Sequence, residues 1–521
     1  MRALEAAGDK AFSHTRNPFS QIGAVVFFLL LTLLVTGAIL FLYYSVEFAE
    51  SYRSITYLNE ETYIGLVARG AHRHAADLVL VCVLLHMFRS FSLKRYSEGR
   101  GWIWISGVCL LLFIILQGVT GYILPWDTRG QAILLTLMKA LAALPVIGPA
   151  FDNAFLSNSA ITISHVILVL GLHLVPAVAG LFLLGFHFRG INRPRVLPDK
   201  ILAYAIVAGL FTAAVFVPAK SLGPADFSKT LDISKIPLDW FFAPPVLLIN
   251  GVGAVGFFVV FVTILLIAGV PLLFAFKRKK EPVTIDENKC IGCGLCVEDC
   301  PYIAIGLDPM PPDHKSPWAA WADPAKCVSC GVCVGSCGFN AIDIPARPVS
   351  DIKREIEGFL ANREADSKPV IAYVCKNAVT ENDLKVVTPD TLIVPLVCAG
   401  QLYRGWVEDN FKSGAVGVFV VSCHENSCAG REGAKFTRER LLHERKPWLR
   451  KKFKNVNLQI FSTSRNENEG VASLAASFRE NMKSGIFIDD EKPASSPFVT
   501  VLAVASFIAI FTFLSDSLWG S

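Results

Sequence analysis

The sequence has few charged residues for its length. Of its 521 residues, 18% are Asp, Glu, Lys or Arg and 53% are hydrophobic, whereas a soluble domain carries about 25% charged residues. This deficit excludes an ordinary soluble protein and predicts a membrane protein, with length enough for roughly three to four domains. The net charge of +5 does not argue for nucleic acid as a partner, because membrane proteins need basic cytoplasmic loops whatever their function.

Cysteine is nearly absent from the first half of the chain. Only Cys82 and Cys109 precede residue 290, and the other twelve of the 14 cysteines lie between Cys290 and Cys428. The total is far below that of a small disulfide scaffold, so this clustering indicates metal ligation. A cleavable signal peptide is not expected either, because residues 1–18 are polar and the apolar run that follows has no small-residue cleavage site.

Seven apolar runs are long enough to cross about 30 Å of hydrocarbon. They are residues 21–44, 72–91, 102–124, 163–188, 201–217, 244–276 and 498–514. The polar region between the last two runs is predicted to be soluble and to divide near residues 345–348.

Basic residues predict the orientation of these spans. They cluster before the first run and after the second, fourth and sixth, and the alternate loops are poorer in them. The cluster members are Arg2, Lys10, Arg16, Arg89, Lys94, Arg95, Arg100, Arg189, Arg193, Arg195, Lys200 and residues 277–280. The positive-inside rule then places the N-terminus, these loops and residues 281–496 in the cytoplasm, and the C-terminal tail outside.

Two pairs of histidines lie inside apolar runs, His72 with His86 and His173 with His187, and each pair is separated by 14 residues. This is close to four helical turns, so the two imidazoles of a pair share one helix face and lie about 21 Å apart along the axis. An imidazole in hydrocarbon is costly and is a functional candidate by default. Two such helices could hold two haems, each between two axial histidines.

Glycines in two other runs repeat the 14-residue interval. A haem between helices needs walls without side chains, which glycine supplies. The threading of the runs predicts an outer layer and an inner layer. The outer layer is Gly37, His72, Gly121 and His173, and the inner layer is Gly23, His86, Gly107 and His187. The alternative is glycines that only pack helices and histidines that only form hydrogen bonds.

Residues 15–190 resemble the cytochrome b of bc-type quinol-oxidising complexes, especially the split chloroplast form. The matching motifs are Thr36-Gly37, His72-Arg73, His86-Met87-Phe88-Arg89, Gly118-Val119-Thr120-Gly121-Tyr122, Pro125-Trp126 and Pro145-Val146-Ile147-Gly148. The resemblance implies that His72 and His173 hold a low-potential outer haem b, that His86 and His187 hold an inner haem b, and that the complex is dimeric. No cysteine lies near Gln21, so the additional covalent haem of chloroplast relatives is not expected.

The fifth and sixth runs resemble the second half of that family less closely. The family's Pro-Glu-Trp-Tyr motif supplies a carboxylate that is thought to accept a quinol proton, and this sequence reads Pro237-Leu238-Asp239-Trp240-Phe241. The resemblance makes Asp239 the candidate catalytic residue, since a carboxylate at the rim of an apolar pocket can accept a proton near neutral pH. The alternative is a solvated loop aspartate.

Eight cysteines form two copies of the bacterial ferredoxin motif. Cys290-x2-Cys293-x2-Cys296-x3-Cys300-Pro301 recurs as Cys327-x2-Cys330-x2-Cys333-x3-Cys337. Each run of this kind gives three thiolates to one [4Fe–4S] cluster and the fourth to the other. The first cysteine set is therefore Cys290, Cys293, Cys296 and Cys337, and the second is Cys327, Cys330, Cys333 and Cys300. A zinc site needs four cysteines and does not explain a doubled run.

The last four cysteines, here the third cysteine set, are Cys375, Cys398, Cys423 and Cys428. They adjoin short β-branched runs that alternate with helical stretches, which predicts an α/β domain. Four thiolates at neighbouring strand ends suit a [2Fe–2S] cluster; reduced, metal-free cysteines are the alternative. Residues 369–483 resemble the delta iron–sulfur subunit of methyl-viologen-reducing hydrogenase, through residues 397–400 and 420–428. In that family the subunit passes electrons between a hydrogenase and heterodisulfide reductase.

The predicted fold is an all-α transmembrane bundle with a four-helix dihaem core, followed by an α+β ferredoxin module and an α/β iron–sulfur domain. The predicted domains are 1–200 (dihaem bundle), 201–280 (two further spans), 281–345 (2[4Fe–4S] ferredoxin), 369–483 ([2Fe–2S] domain) and 497–515 (C-terminal span).

The order of sites predicts a membrane electron-transfer subunit of a respiratory complex that exchanges electrons with the quinone pool, in the inner membrane of a prokaryote. The sequence lacks a Cys-x-x-Cys-His motif, a Rieske-type Cys/His pair and a Gly-rich dinucleotide loop. Other subunits must therefore supply an outer c-type cytochrome and a cytoplasmic flavin, hydrogenase or heterodisulfide-reductase-like module. The alternatives are a transmembrane wire without a quinone site and a membrane anchor for a cytoplasmic hydrogenase or reductase.

Overall fold

The computed structural model describes most of the chain. The described residues are 2–12, 16–96, 100–143, 148–151, 163–191, 194–225, 236, 240–241, 243–275, 281–364, 366–386, 390–425, 428–453, 455–463, 470–484 and 496–519. Asp239, the candidate proton acceptor, lies outside them.

The hydrophobic part of the chain is helical. Its helices are α1 (Arg2–Phe12), α2 (Ile22–Tyr43), α3 (Phe48–Glu60), α4 (Tyr63–Ser92), α5 (Gly101–Ile123), α6 (Thr128–Ala142), α7 (Gly148–Phe151), α8 (Ile163–Arg189), α9 (Lys200–Phe216) and α10 (Ala243–Ala275). Each predicted apolar run up to residue 276 coincides with one of them. Helices α2, α4, α5 and α8 are long and apolar enough to cross a membrane, whereas α9, with 17 residues, is about 25 Å long.

These four helices pack in two pairs, α2 on α4 and α5 on α8. Leu29, Ala75 and Val79 are almost fully buried in a core cluster that α2 and α4 share with α9. Gly70 of α4 lies directly against Ala214 of α9. Small residues allow backbones to approach closely inside a membrane, so α9 is an integral part of the bundle.

Helices α1 and α6, at the two ends of the bundle, were not among the predicted spans. Helix α6 begins at Asp127, whose side chain accepts a hydrogen bond from Gly130 N. Helix α1 is attached by a buried ion pair of 2.6 Å between Glu5 and Arg89, at the end of α4. The end that carries Arg89 and the loop from α4 to α5 is the inner end of the bundle, and the opposite end is the outer end.

Helix α10 is interrupted, although its sequence reads as one apolar span. Gly253 has φ +75° and ψ 173° in the middle of the helix. Glycine adopts this left-handed conformation without a steric cost, so the helical hydrogen bonds break there.

The ferredoxin region contains two short helices and two small antiparallel sheets. Its elements are β1 (Thr284–Ile285), α11 (Leu295–Asp299), β2 (Ile305–Pro309), β3 (Trp318–Ala322), α12 (Val332–Ser336) and β4 (Ile342–Asp343). Strand β1 pairs with β4, and β2 pairs with β3 in the segment between the two cysteine runs. Helices α11 and α12 follow Gly294 and Gly331, which have φ of +77° and +80°, and both positions favour glycine because of this left-handed backbone.

The predicted α/β domain is confirmed. After α13 (Val349–Ala361), its elements are β5 (Val370–Cys375), β6 (Thr391–Leu396), α14 (Arg404–Lys412), β7 (Gly417–Cys423), α15 (Gly433–Leu441), β8 (Leu458–Thr463) and α16 (Val471–Ser484). The strands form a parallel sheet in the order β6-β5-β7-β8. Strands β5 and β7 are buried along their whole length, as expected for the centre of a parallel sheet with covered faces.

The last helix, α17 (Pro497–Trp519), returns to the bundle. Residues 497–515 are long and apolar enough to cross a membrane. A side chain on Gly209 of α9 would lie 2.8 Å from Ile508 of α17, so the two helices are in close contact. The soluble region is therefore connected to the bundle at both of its ends.

Candidate functional site

The structure brings the residues of each predicted layer together. In the outer layer, a Cβ added to Gly37 would lie 3.1 Å from His72 Cε1, and one added to Gly121 would lie 3.2 Å from His173 Cε1. The rings of His72 and His173 face each other with centroids 6.5 Å apart. Each glycine therefore lies where a side chain would press on an imidazole.

The inner layer repeats this arrangement with one looser contact. A Cβ added to Gly23 would lie 3.1 Å from His86 Cε1, whereas one added to Gly107 would lie 3.6 Å from His187 Cε1. The first distance is tighter than ordinary contact and the second is ordinary contact. The four histidines and four glycines thus occupy two levels of one bundle.

A cavity of about 1460 Å³ runs through both layers. All eight layer residues line it, together with aliphatic side chains of α2, α4, α5 and α8. Pockets for single ligands are typically about 300–1,000 Å³, so this cavity is larger than one ligand requires. Its volume and its paired imidazoles fit two bis-histidine haems.

Hydroxyl groups fix the orientation of three of the four imidazoles. Thr36 Oγ1 lies 2.9 Å from His72 Nδ1 and donates its own proton to Thr32 O at 2.7 Å. Because its proton is already used, the hydroxyl accepts a hydrogen bond from Nδ1–H. The Nε2 lone pair of His72 is then free to bind iron, and the hydrogen bond makes that nitrogen more basic.

The same hydrogen bond between an imidazole and a hydroxyl group recurs twice on α5. Thr120 Oγ1 lies 3.0 Å from His173 Nδ1 and donates to Leu116 O at 2.8 Å. Ser106 Oγ lies 2.8 Å from His187 Nδ1 and donates to Ile103 O at 2.9 Å. The sequence analysis missed these hydroxyls, although each directly precedes a layer glycine.

His86 is the exception. Its Nδ1 is buried and has no hydrogen-bond partner among the described residues. The residue before Gly23 is Ile22, which has no hydroxyl group. The inner layer therefore has one oriented imidazole where the outer layer has two.

The outer end of the cavity is formed by the loop after α5 and by Phe241. A Cβ on Gly118 would lie 3.4 Å from Phe241 Cε1, so Phe241 packs against α5 at this end. Asp127 lines the cavity here. Burial raises the pKa of its carboxyl group, although the backbone N–H groups of Gly130 and Leu222 donate to it and act in the opposite direction.

The first cysteine set lines a small cavity of the ferredoxin region. Cys290, Cys293, Cys296 and Cys337 all contribute to its wall, which is the grouping expected from the crossed ligation pattern. Backbone N–H groups point at two of the sulfurs, from Ala320 to Cys290 Sγ at 3.4 Å and from Ala341 to Cys337 Sγ at 3.2 Å. Such donors favour the thiolate form that iron binds.

The second cysteine set is also brought together. Ala304 N donates to Cys300 Sγ at 3.2 Å, and the charges of Cys330, Cys300 and Cys327 all act on Cys333. Burial raises the pKa of Cys330 to about 12, and the nearby Arg100 charge acts in the opposite direction. Cluster assembly at these buried thiols must therefore release protons.

The third cysteine set lies at the carboxyl edge of the parallel sheet. Cys375 and Cys423 end β5 and β7, and their sulfurs are 3.9 Å apart. Hydrogen bonds from the Cys398 and Cys423 thiols lower the pKa of Cys375 well below its usual value. A Cβ on Gly433 would lie 2.3 Å from Cys398 Sγ, so the backbone of α15 leaves just enough room for this sulfur.

Comparisons with known proteins confirm the three regional resemblances. Residues 8–193 match the family model for cytochrome b/b6/petB, residues 289–342 match a 4Fe-4S dicluster domain, and residues 370–484 match the methyl-viologen-reducing hydrogenase delta subunit. The sequence therefore joins a cytochrome b bundle, a [4Fe–4S] module and a hydrogenase-delta-like domain in one chain.

Curated relatives match the bundle. The menaquinol:cytochrome c reductase cytochrome b subunit of Geobacillus thermodenitrificans is 33% identical over 131 residues, which is 25% of this chain and 58% of the relative. Cytochrome b6 of Tupiella akineta is 30% identical over 179 residues, which is 34% of this chain and 83% of the relative. A solved structure described as a hyperthermophilic respiratory Complex III matches 49% of this chain and 75% of its own, with 22% identity and a TM-score of 0.40.

Proposed function

The chain belongs to the cytochrome b/b6 family, and on that basis we propose that it is the membrane electron-transfer subunit of a respiratory complex that oxidises quinol or reduces quinone. In this proposal, electrons cross the bilayer by way of two b haems and continue to iron–sulfur clusters and a soluble redox partner on the cytoplasmic side. The observation that carries it is the pair of histidine layers, in which hydroxyl groups leave Nε2 free on His72, His173 and His187.

The residues that hold the cofactors follow from this proposal. His72 and His173 hold the outer haem b, and His86 and His187 hold the inner one. The first and second cysteine sets each hold a [4Fe–4S] cluster, and the third set holds a [2Fe–2S] cluster. When bound, these groups supply one-electron redox chemistry. The protein orients the ligands, excludes water from the bundle and keeps the sites in a fixed order.

Quinol is the proposed substrate at the outer end of the cavity, and Asp239 is the proposed proton acceptor. Phe241, two residues after Asp239, packs at this end of the bundle beside Gly118. The Geobacillus relative is described as acting on menaquinol and cytochrome c. We extend both to this chain: quinol as the donor and a c-type cytochrome in a partner subunit as the outer acceptor.

The proposed location is the inner membrane of a prokaryote, with the iron–sulfur domains in the cytoplasm. The basic residues Arg89, Arg95 and Arg100 lie at the inner end of the bundle, beside the ferredoxin region. This arrangement agrees with the positive-inside rule. The cytoplasmic partner is proposed to be a flavin, hydrogenase or heterodisulfide-reductase-like subunit, and dimerisation as in bc-type complexes is part of the proposal.

The proposal is tested by optical and kinetic measurements on the purified chain. A dithionite-reduced spectrum is expected to contain b-type haem, and its absence would contradict the proposal. The variant Asp239→Asn is then compared with Asp226→Asn, a second loop aspartate, in quinol oxidation. Slower oxidation only in Asp239→Asn, with unchanged haem spectra, supports a quinone site; equal rates in both favour a transmembrane wire without one.

A further inference from the structure

The loop between α4 and α5 reaches the ferredoxin region next to the second cysteine set. The guanidinium carbon of Arg100 lies 4.0 Å from the centroid of the Tyr302 ring, which is a cation–π contact. Tyr302 comes directly after Cys300-Pro301. Arg100 Nη2 is buried and has no hydrogen-bond partner among the described residues, so its charge is held in a region with little water.

The α/β domain meets the ferredoxin region at the same turn. Arg431 Nη1 donates a hydrogen bond of 2.8 Å to Pro301 O. Burial and then the Arg100 charge lower the pKa of Arg431 to about 10, so the two guanidinium groups lie close together. The bundle and the α/β domain thus both contact the Cys300–Tyr302 segment.

The third cysteine set lies close to α12, the helix that carries Cys333 of the second set. Val332, which precedes Cys333 on α12, lies 2.9 Å from a Cβ placed on Gly400 and 3.4 Å from one placed on Gly433. That same Gly433 position is 2.3 Å from Cys398 Sγ. The side chain of Val332 and the backbone of Gly433 therefore lie between α12 and Cys398.

A buried charged network holds α15 against the ferredoxin region. Arg440 of α15 donates to Asp299 at 2.8 Å and to Ser336 at 2.6 Å, and both partners lie in the ferredoxin region. Arg440 also donates to Gly400 O at 3.2 Å. Removing one partner of a buried charged pair is strongly destabilising, so the α/β domain and the ferredoxin region are packed as one unit here.

The first cysteine set has different surroundings. Its cavity is lined only by residues of the ferredoxin region, between Cys290 and Ile342. Cys293 is exposed, as are Ile291 and Phe339 beside it. The α/β domain reaches this set at one end, where the Tyr403 hydroxyl donates a hydrogen bond of 3.1 Å to Gly338 O, next to Cys337.

We infer that the second cysteine set, Cys300, Cys327, Cys330 and Cys333, is the junction between the bundle and the α/β domain, and that the first set lies on a side branch open to solution. The inference rests on the proposed electron-transfer function and adds the path that electrons take between the bundle and the α/β domain. Each transfer moves one electron from one centre to the next and forms or breaks no bond. Arg100 is a positioning residue whose positive charge favours the reduced state at the second set.

The test uses two matched variants of the full chain, Cys330→Ala and Cys293→Ala, which remove the second cysteine of each run. Electrons are supplied to the cytoplasmic side by reduced methyl viologen, and haem reduction is followed optically. In parallel, EPR spectra of the reduced protein report magnetic broadening of the [2Fe–2S] signal by the neighbouring cluster. Cys330→Ala is expected to lose the broadening and the fast phase of haem reduction, and Cys293→Ala is expected to keep both.

The reverse pattern, or equal loss in both variants, would overturn the junction. A wild-type spectrum without b-type haem would instead contradict the proposed function, so the two failures are distinguishable.

If Cys330→Ala does not fold, Arg100→Gln provides the same test without removing a ligand. It is expected to lower the midpoint potential of one [4Fe–4S] cluster, the one that Cys293→Ala retains. The matched control is Arg354→Gln, an arginine of α13 that is 78% exposed, which should change neither potential. A shift in the cluster that Cys293→Ala removes, or no shift at all, would overturn the inference.

Discussion

The outer and inner layers of the bundle contain histidines and glycines at the same spacing but differ in the hydrogen bonds that the imidazoles make. Both outer histidines donate a hydrogen bond to a threonine, whereas in the inner layer His187 has Ser106 and His86 Nδ1 has no described partner. A hydrogen bond at Nδ1 makes the imidazole a stronger donor to the metal and so favours ferric iron. This difference alone favours a lower reduction potential in the outer layer and electron flow from the outer to the inner layer.

The largest expected effect comes from removing one ligand in either layer. His86→Ala is expected to eliminate the inner haem and to leave about half of the b-type absorbance, because in the proposed function each layer binds one haem between two histidines. His72→Ala should remove the other half. Reduced-minus-oxidised spectra and redox titration of both variants measure this. If either variant lost all haem while the protein remained folded, the layers would not be independent sites.

The glycine contacts sharpen the comparison. Gly37→Ala places a methyl group 3.1 Å from His72 Cε1, whereas Gly107→Ala places one 3.6 Å from His187. Overpacking typically costs about 1–3 kcal/mol, so Gly37→Ala is expected to lower haem content and thermal stability and Gly107→Ala to change them little. Pyridine haemochrome assay and thermal unfolding measure the pair. An equal loss in both would mean that the glycines matter for helix packing and not for the imidazoles.

Removing the Thr36 hydroxyl leaves the outer layer, like the inner layer, with one imidazole that has a hydroxyl acceptor and one that has none. Thr36→Val leaves the buried His72 N–H without an acceptor, which costs about 1–3 kcal/mol, and the outer haem potential is expected to rise. Thr32→Val is the control, because its hydroxyl lies one turn away and donates to Phe28 O. Potentiometric titration compares the two variants. An unchanged reduction potential of the outer haem in Thr36→Val would show that the hydrogen bond at Nδ1 does not make the two layers differ.

The smallest expected effect is the reverse substitution in the inner layer. Ile22→Thr puts a hydroxyl before Gly23, in the register of Thr36 before Gly37, where it can accept from His86 Nδ1. The inner haem potential is expected to fall, and the two layers should become more alike. Ile22→Val controls for the change in side-chain volume. A shift of equal size in Ile22→Val would assign the effect to packing.

The sequence predicted the parts of the structure that depend on regular spacing. The 14-residue intervals placed Gly37 beside His72 and Gly23 beside His86 because helix geometry alone determines which residues share a face. The β-branched runs predicted three strands of the α/β domain, since buried parallel strands are continuously apolar. Strand β8 was missed because its sequence, Leu458–Thr463, mixes polar and apolar residues.

Other features could not be predicted because they depend on contacts between distant segments. The hydrogen bonds from His72 to Thr36 and from His187 to Ser106 join different helices, and only the recurrence of a hydroxyl residue before glycine hinted at them. The contact of Arg100 with Tyr302 joins residues about two hundred positions apart, beyond the range of any periodicity. The break at Gly253 was missed because an apolar run is equally apolar on both sides of a kink.

The return of α17 to the bundle has a kinetic consequence. Because α10 and α17 anchor both ends of the soluble region, its encounter with the inner end of the bundle is a reaction within one molecule. The effective concentration of one tethered partner near another is on the order of millimolar for short flexible linkers. Exchange between the two parts should therefore be independent of protein dilution, and α17 is a second covalent tether that keeps the soluble region at the bundle.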